Sequence, residues 1–167
     1  QNPRREVKAY REAIALRPDE PLAYYNLGAA LATSGHYVEA AQRYLEASER
    51  FPVGSERWAM ATASAFDTLR KEECDEVAKP EWWNDEGLKA LSVRVVRAAP
   101  DADVAHQMRG IVLSGQLSAW EAGPRSAAEL REAAAHFDRA AALCSAPVMK
   151  ADFTGRAAWC RTKAEAM

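Results

Sequence analysis

The sequence predicts an all-α protein built as an array of antiparallel helix pairs. Three observations predict it. Alanine, the best helix former, supplies 36 of the 167 residues, against eight Gly and eight Pro. Apolar residues recur three, four and seven apart, which lines one face of a helix. Helix-ending prolines also recur: Pro18 and Pro52 stand 34 residues apart, and Pro100 and Pro147 follow at spacings of 48 and 47. Recurrence on this scale is the mark of repeat architectures, in which each unit buries its apolar face on the next.

Composition narrows the function. A hydrophobic fraction of 49% against 28% charged residues predicts a folded chain. The 22 basic and 24 acidic residues give a net charge of -2, which excludes a strongly basic nucleic-acid domain and a polybasic membrane-surface domain. The longest uncharged stretch, residues 21–38, contains Asn26, Gly28, Thr33, Ser34, Gly35 and His36. These would strand polar groups in lipid, so it reads as a helix and a turn and not as a membrane span. Cys74, Cys144 and Cys160 are odd in number and form no CxxC, which fits free thiols in a reducing compartment such as the cytosol.

The elements follow in order. Val7, Tyr10, Ala13 and Ile14 stripe a helix over 3–17. Tyr24, Leu27 and Leu31 stripe the next, which ends at Gly35, where a positive φ comes easily to glycine. Ala40, Tyr44 and Ala47 stripe a third, stopped by Pro52. Trp58, Ala61, Ala65 and Leu69 stripe a fourth, expected to run on through Lys71 to Val77. Residues 79–83 break the chain at Pro80, and Asn84 or Asp85 caps a helix carrying Leu88, Leu91 and Val95. Val104, Met108, Gly110 and Leu113 mark a sixth helix. An inserted loop from Gly115 to Pro124 follows, around Trp120. Ser126 and Glu129 form a capping box for a helix carrying Leu130, Ala134, Phe137, Ala140 and Leu143. A last helix, from about Val148 to Ala166, carries Met149, Phe153, Ala157 and Cys160 on one stripe.

Between the first two prolines the motif residues are Tyr24, Leu27-Gly28 and Leu31, then Gly35-His36-Tyr37, then Ala40, Tyr44 and Ala47, then Pro52. This pattern resembles the tetratricopeptide repeat (TPR), in residue types and in spacing together. Gly28 and Ala40 are small where the two helices of the unit are expected to cross closely. The resemblance is closest over 19–52. It is looser over 1–18, which resembles the second half of a unit, and loosest over 53–147, where Leu-Gly becomes Ala61-Thr62 and then Arg109-Gly110. A plain helical bundle is the alternative there. The expected organisation is one TPR-like α-solenoid domain over 1–167: a half repeat at 1–18, a standard repeat at 19–52, extended repeats at 53–100 and 101–147, and a C-terminal capping helix at 148–167. A first helix with no preceding partner predicts further repeats upstream of Gln1.

The resemblance implies a non-catalytic scaffold that holds a protein or peptide partner in a concave groove lined by the first helix of each pair. Alignment places Leu22, Tyr25, Asn26, Ala29 and Thr33 on that groove, with Ala59, Ala63, Phe66, Gln107 and Ile111 from the looser units. Some members of the family clamp acidic chaperone tails through Lys, Arg and Asn. Here Asn26 alone matches, and a carboxylate buried without a cation is costly, so that ligand is excluded. The alternative function is a structural subunit or assembly factor, held through its outer faces and inserted segments.

Chemistry is sparse. No Gly-rich phosphate loop, HExxH, GxSxG or Ser-x-x-Lys motif is present, so no enzyme activity, metal or cofactor is expected. His36 falls in a turn, and His106 and His136 read as partly exposed helical residues. Cys74 stands among Glu72, Glu73, Asp75 and Glu76, which oppose the thiolate a reactive cysteine needs. Arg4, Lys8 and Arg11 share a helix face, diluted by Glu6 and Glu12, without an aromatic platform for nucleic acid. Trp82, Trp83 and Trp120 lie in the inserted segments, which are expected to fold back and bury the rings.

Overall fold

The computed structural model describes residues 2–116 and 118–167, so Leu117, inside the inserted loop, lies outside them. The described residues form eight α-helices: α1 (Pro3–Leu16), α2 (Pro21–Thr33), α3 (Tyr37–Arg50), α4 (Glu56–Leu69), α5 (Asp85–Ala98), α6 (Asp103–Ser114), α7 (Ala127–Leu143) and α8 (Pro147–Glu165). A short 3-10 turn, Glu72–Cys74, follows α4. Among the described residues there is no β-strand. The chain divides into two compact units, the first ending at Ala78 and the second running from Lys79 to Met167. Within each, consecutive helices pack on one another, the helix-pair packing of a TPR-like array.

Local chemistry sets the helix ends. The Asn2 side chain accepts from Arg4 N at 3.0 Å, and Pro3 opens α1, where its missing N–H costs nothing. Just past the end of α2, Gly35 has a φ of 81° that lets His36 N–H reach back to the Leu31 carbonyl at 2.9 Å. Asn84 caps α5 through Gly87 N at 2.8 Å. The capping box on α7 is complete: Ser126 Oγ accepts from Glu129 N at 3.1 Å, and Glu129 Oε1 accepts from Ser126 N at 3.0 Å.

In the first unit Leu27, Leu31, Ala40, Tyr44 and Ala65 form one buried cluster, and Val7, Tyr10 and Ile14 of α1 pack against it. The close approach at Gly28 is made by the Tyr44 ring. A Cβ on Gly28 would stand 2.9 Å from Tyr44 Cδ1, so any larger residue must shift the ring.

The second unit uses the same plan, although its sequence resembles the repeat least. A Cβ on Gly110 would stand 2.9 Å from Phe137 Cε1, so α6 and α7 meet as α2 and α3 do. Tyr24 Oη donates to the Pro18 carbonyl at 2.8 Å, and His106 Nε2 sits 2.7 Å from the Pro100 carbonyl. In both cases the carbonyl belongs to the proline six residues upstream. His106 therefore stands where Tyr24 stands, Arg109-Gly110 replaces Leu27-Gly28, and Ala133, Phe137 and Ala140, all fully buried, replace Ala40, Tyr44 and Ala47.

Two expectations are corrected. α4 stops at Leu69 and does not run on to Val77. Continued as a helix, Glu72 would stack on Glu76, a repulsive pair one turn apart. The chain instead turns through Glu72–Cys74, packs on α3 and buries the one apolar side chain available, Cys74. Met149 is 44% exposed, because the buried stripe of α8 begins one turn later, at Phe153.

Candidate partner-binding surfaces

The α2 positions expected to face a partner share one side of the helix: Leu22 and Thr33 are exposed, and Tyr25, Asn26 and Ala29 are half-buried. The equivalent positions on α4 are closed. Ala59, Ala63 and Phe66 are fully buried and have no side-chain surface to give a partner. α4 buries nine of its 14 residues, so its open stripe is narrow: exposed Arg57, then half-buried Met60, Ser64 and Asp67. The small side chains at Ala59, Ala61, Ala63 and Ala65 sink with the helix, which alignment to a repeat pattern does not reveal. On α6, in the second unit, Gln107 is half-buried and Ile111 is buried.

What α2 and α4 build together is a slot of about 140 Å³, lined by Leu22, Tyr25, Phe51, Arg57 and Met60. Its walls are apolar, and Arg57 is the one charge at its mouth. Phe51, the C-cap of α3, lies 6% exposed beneath it. The Tyr25 ring leans on Tyr44, with centroids 5.5 Å apart, which ties the slot to the core. Arg57, Phe51 and Met60 carry no motif signal. Only the helix pairing brings them to Leu22 and Tyr25.

The second unit carries two polar clusters that the sequence did not announce. The first holds the inserted segments. The Asp85 carboxylate accepts from Trp120 Nε1 at 3.1 Å, from Gly123 N at 3.1 Å and from Arg125 Nη1 at 2.9 Å, with a second bond from Arg125 Nη2. Arg125 also donates to the Val112 carbonyl in the last turn of α6, at 2.8 Å. The Arg125 bond first, and the Trp120 and Gly123 donors after it, outweigh burial and hold Asp85 far below the usual carboxylate range. Trp83 Nε1 donates to the Ala119 carbonyl at 3.2 Å, and its ring meets Trp120 edge-on at 6.0 Å. Trp120 is buried, and Trp82 and Trp83 are half-buried. The two insertions therefore clasp one another across 40 residues of sequence.

The second cluster lies where α6 crosses α7. His106 Nδ1 and His136 Nδ1 are 3.0 Å apart, with ring centroids 5.2 Å apart. His106 is buried, contrary to the partly exposed reading, because it fills the Tyr24-like position. The Pro100 carbonyl can only accept, so His106 donates from Nε2 and its Nδ1 accepts; the His136 Nδ1–H then donates to it. Burial first, and the neighbouring His106 second, hold His136 below the ordinary histidine value, against the pull of Glu132, whose Oε2 is 3.5 Å from Nε2. Arg109, in the place of Leu27, donates to the Lys89 carbonyl at 2.9 Å, to Ser92 Oγ at 3.0 Å and to Glu132, so its buried charge is fully engaged. Among the described residues no three His, Cys, Asp or Glu side chains stand where they could hold a metal ion.

All-helical architecture with consecutive helices packed in pairs defines the class: a helix-pair repeat protein. Residues 7–35 match the family model of the TPR repeat, consistent with a TPR protein. The match runs from within α1 through α2 to Gly35. No curated protein matches the chain. Among the described residues no helix is long and apolar enough to cross a membrane.

Proposed function

We propose that this chain is a non-catalytic scaffold that holds a peptide or protein segment against the first helices of its pairs. One observation carries the reading: the apolar slot between α2 and α4, whose Leu22 and Tyr25 share a helix face with Asn26, Ala29 and Thr33. The slot takes one aliphatic or aromatic anchor, the usual way a small number of buried contacts dominates an interface. In this reading half-buried Asn26 hydrogen-bonds the backbone of the bound segment, and exposed Arg57 favours an acidic residue beside the anchor. The assembly-subunit alternative draws on outer faces and inserted segments; in the inserted segments the Trp83 and Trp120 rings are packed on each other.

The test is a displayed peptide library selected on the chain, followed by affinity measurement on a Leu22→Asp variant. Leu22 is 36% exposed, so the variant should fold. Selected peptides should share an apolar anchor and bind the variant at least about tenfold more weakly, the loss expected when one anchor contact is removed. Unchanged affinity in a folded Leu22→Asp variant refutes the slot as the binding site.

A further inference from the structure

The early end of α4 leaves a second groove, on another side of the first unit. In a helix-pair array α3 would be flanked by the second helix of the next pair. Here the segment that follows α4 is the 3-10 turn and its extension to Ala78, anchored by buried Cys74 and by Val77 N–H to the Cys74 carbonyl at 3.0 Å. This segment covers α3 only in part. Between them lies an open groove of about 540 Å³, with Val38 and Leu45 on one wall and Val77 and Ala78 on the other. Val38 is 40% exposed, a large apolar side chain facing solvent. A neighbouring cavity of about 340 Å³ shares Val38, Gln42 and Glu73 and extends the groove toward the start of α3.

Its charge is one-sided. Glu73 and Glu76 line the groove, Glu39 lines the extension, and no Lys or Arg lines either. Glu73 and Glu76 form no ion pair among the described residues; Glu39 is held by Arg11 and Arg43. The cations nearby are engaged: Lys71 lies over the Tyr37 ring at 5.2 Å, and Arg43 is paired with Glu39 and Glu46. From Val38 to Leu45 is two helical turns, about 10 Å of groove at the α-helical rise. That length suits a partner helix presenting anchors at i, i+3 or i+4, and i+7.

We infer that this groove docks a basic amphipathic helix of a partner protein, its apolar stripe against Val38, Leu45 and Val77 and its flanking Lys or Arg side chains against Glu73 and Glu76. The site is separate from the α2–α4 slot, so either reading can fail without the other. The slot offers a cation at its mouth and this groove offers two carboxylates, so the two select partners of opposite charge.

The probe is a synthetic amidated helical peptide with three leucines at that spacing, flanked by lysines. Two twins accompany it, one with glutamates for the lysines and one with serines for the leucines. Affinities are measured by fluorescence anisotropy on the full chain, and the site is mapped by amide chemical shifts. The lysine–leucine peptide should bind, with shifts at Val38, Gln42, Leu45 and Val77. Both twins should bind at least about fivefold more weakly, about what one to two exposed charge pairs or one lost apolar contact is worth. Glu73→Gln with Glu76→Gln should weaken the lysine peptide by about fivefold and flatten its salt dependence. Both positions are exposed, and a thermal melt checks that the variant is folded. Equal binding of the lysine and glutamate peptides, undiminished binding of the serine twin, shifts confined to α2 and α4, no binding at millimolar peptide, or self-association of the chain through this groove would each overturn the inference.

Discussion

Replacing Gly28 by alanine tests the helix crossing on which the whole array depends. Two opposing effects decide the result. Alanine gains about 1 kcal/mol over glycine from helix propensity alone. Against this, the new Cβ would lie 2.9, 3.1 and 3.2 Å from Cδ1, Cε1 and Cγ of Tyr44, where ordinary contacts begin near 3.5 Å. Tyr44 has nowhere to go: it is 7% exposed, belongs to the cluster with Leu27, Leu31 and Ala40, and has Tyr25 against its face. Overpacking of this kind costs about 1–3 kcal/mol, so Gly28→Ala should be neutral to about 2 kcal/mol destabilising. Gly155 is the control. It lies exposed in α8 with nothing within 4 Å of its Cβ position, so Gly155→Ala should stabilise by the propensity gain of about 1 kcal/mol. Urea unfolding followed by circular dichroism measures both. Shortening the ring in a Gly28→Ala, Tyr44→Leu double variant should recover part of the loss, giving a favourable coupling of about 1 kcal/mol. If Gly28→Ala stabilises as much as Gly155→Ala and couples to nothing at position 44, the close crossing does not exist.

Three further outcomes are expected. His136 is held below the ordinary histidine value, so the unfolded chain binds more protons below about pH 6.5 and stability should fall as the pH drops through that region; His136→Gln should flatten this slope in melts between pH 5 and 8, and a slope unchanged in the variant refutes it. Asp85→Asn removes the partner of an Arg125 side chain only 4% exposed and should cost about 3–5 kcal/mol, read as a loss of Trp120 burial by fluorescence quenching at denaturant levels the parent survives; an unaltered midpoint would mean the clasp is not holding the insertions. Cys74, Cys144 and Cys160 are all buried, and burial also raises the Cys160 thiol, so a thiol reagent should label the native chain slowly and the urea-unfolded chain at once; fast labelling of Cys74 in the native state would contradict the packing of the 72–74 turn on α3.

Much of the fold was legible because it is local. Helix ends depend on a handful of neighbouring residues, and Asn84, Ser126 with Glu129, Gly35, Pro18, Pro52 and Pro100 placed them within a residue or two of the observed bounds. The stripe on α2 was legible for the same reason: five positions on one helix share a face whatever lies beyond it. The end of α4 was not. Its apolar pattern faded after Leu69 into charge, and whether such a segment continues or turns depends on whether α3 offers a place for Cys74.

The sequence by itself determined most helices and the repeat motif from Tyr24 to Pro52, since those follow from periodicity, capping and a 34-residue spacing carried by short-range chemistry. Tertiary structure alone decided which faces stay open. It sank Ala63, Phe66 and Ile111 into the interior and left Met60 and Arg57 beside Leu22. It also brought Asp85 to Arg125 and His106 to His136 across 40 and 30 residues, pairings that no local pattern encodes. The physical reason is that burial and charge pairing are properties of what packs against a residue, and in a helical array that neighbour comes from another helix.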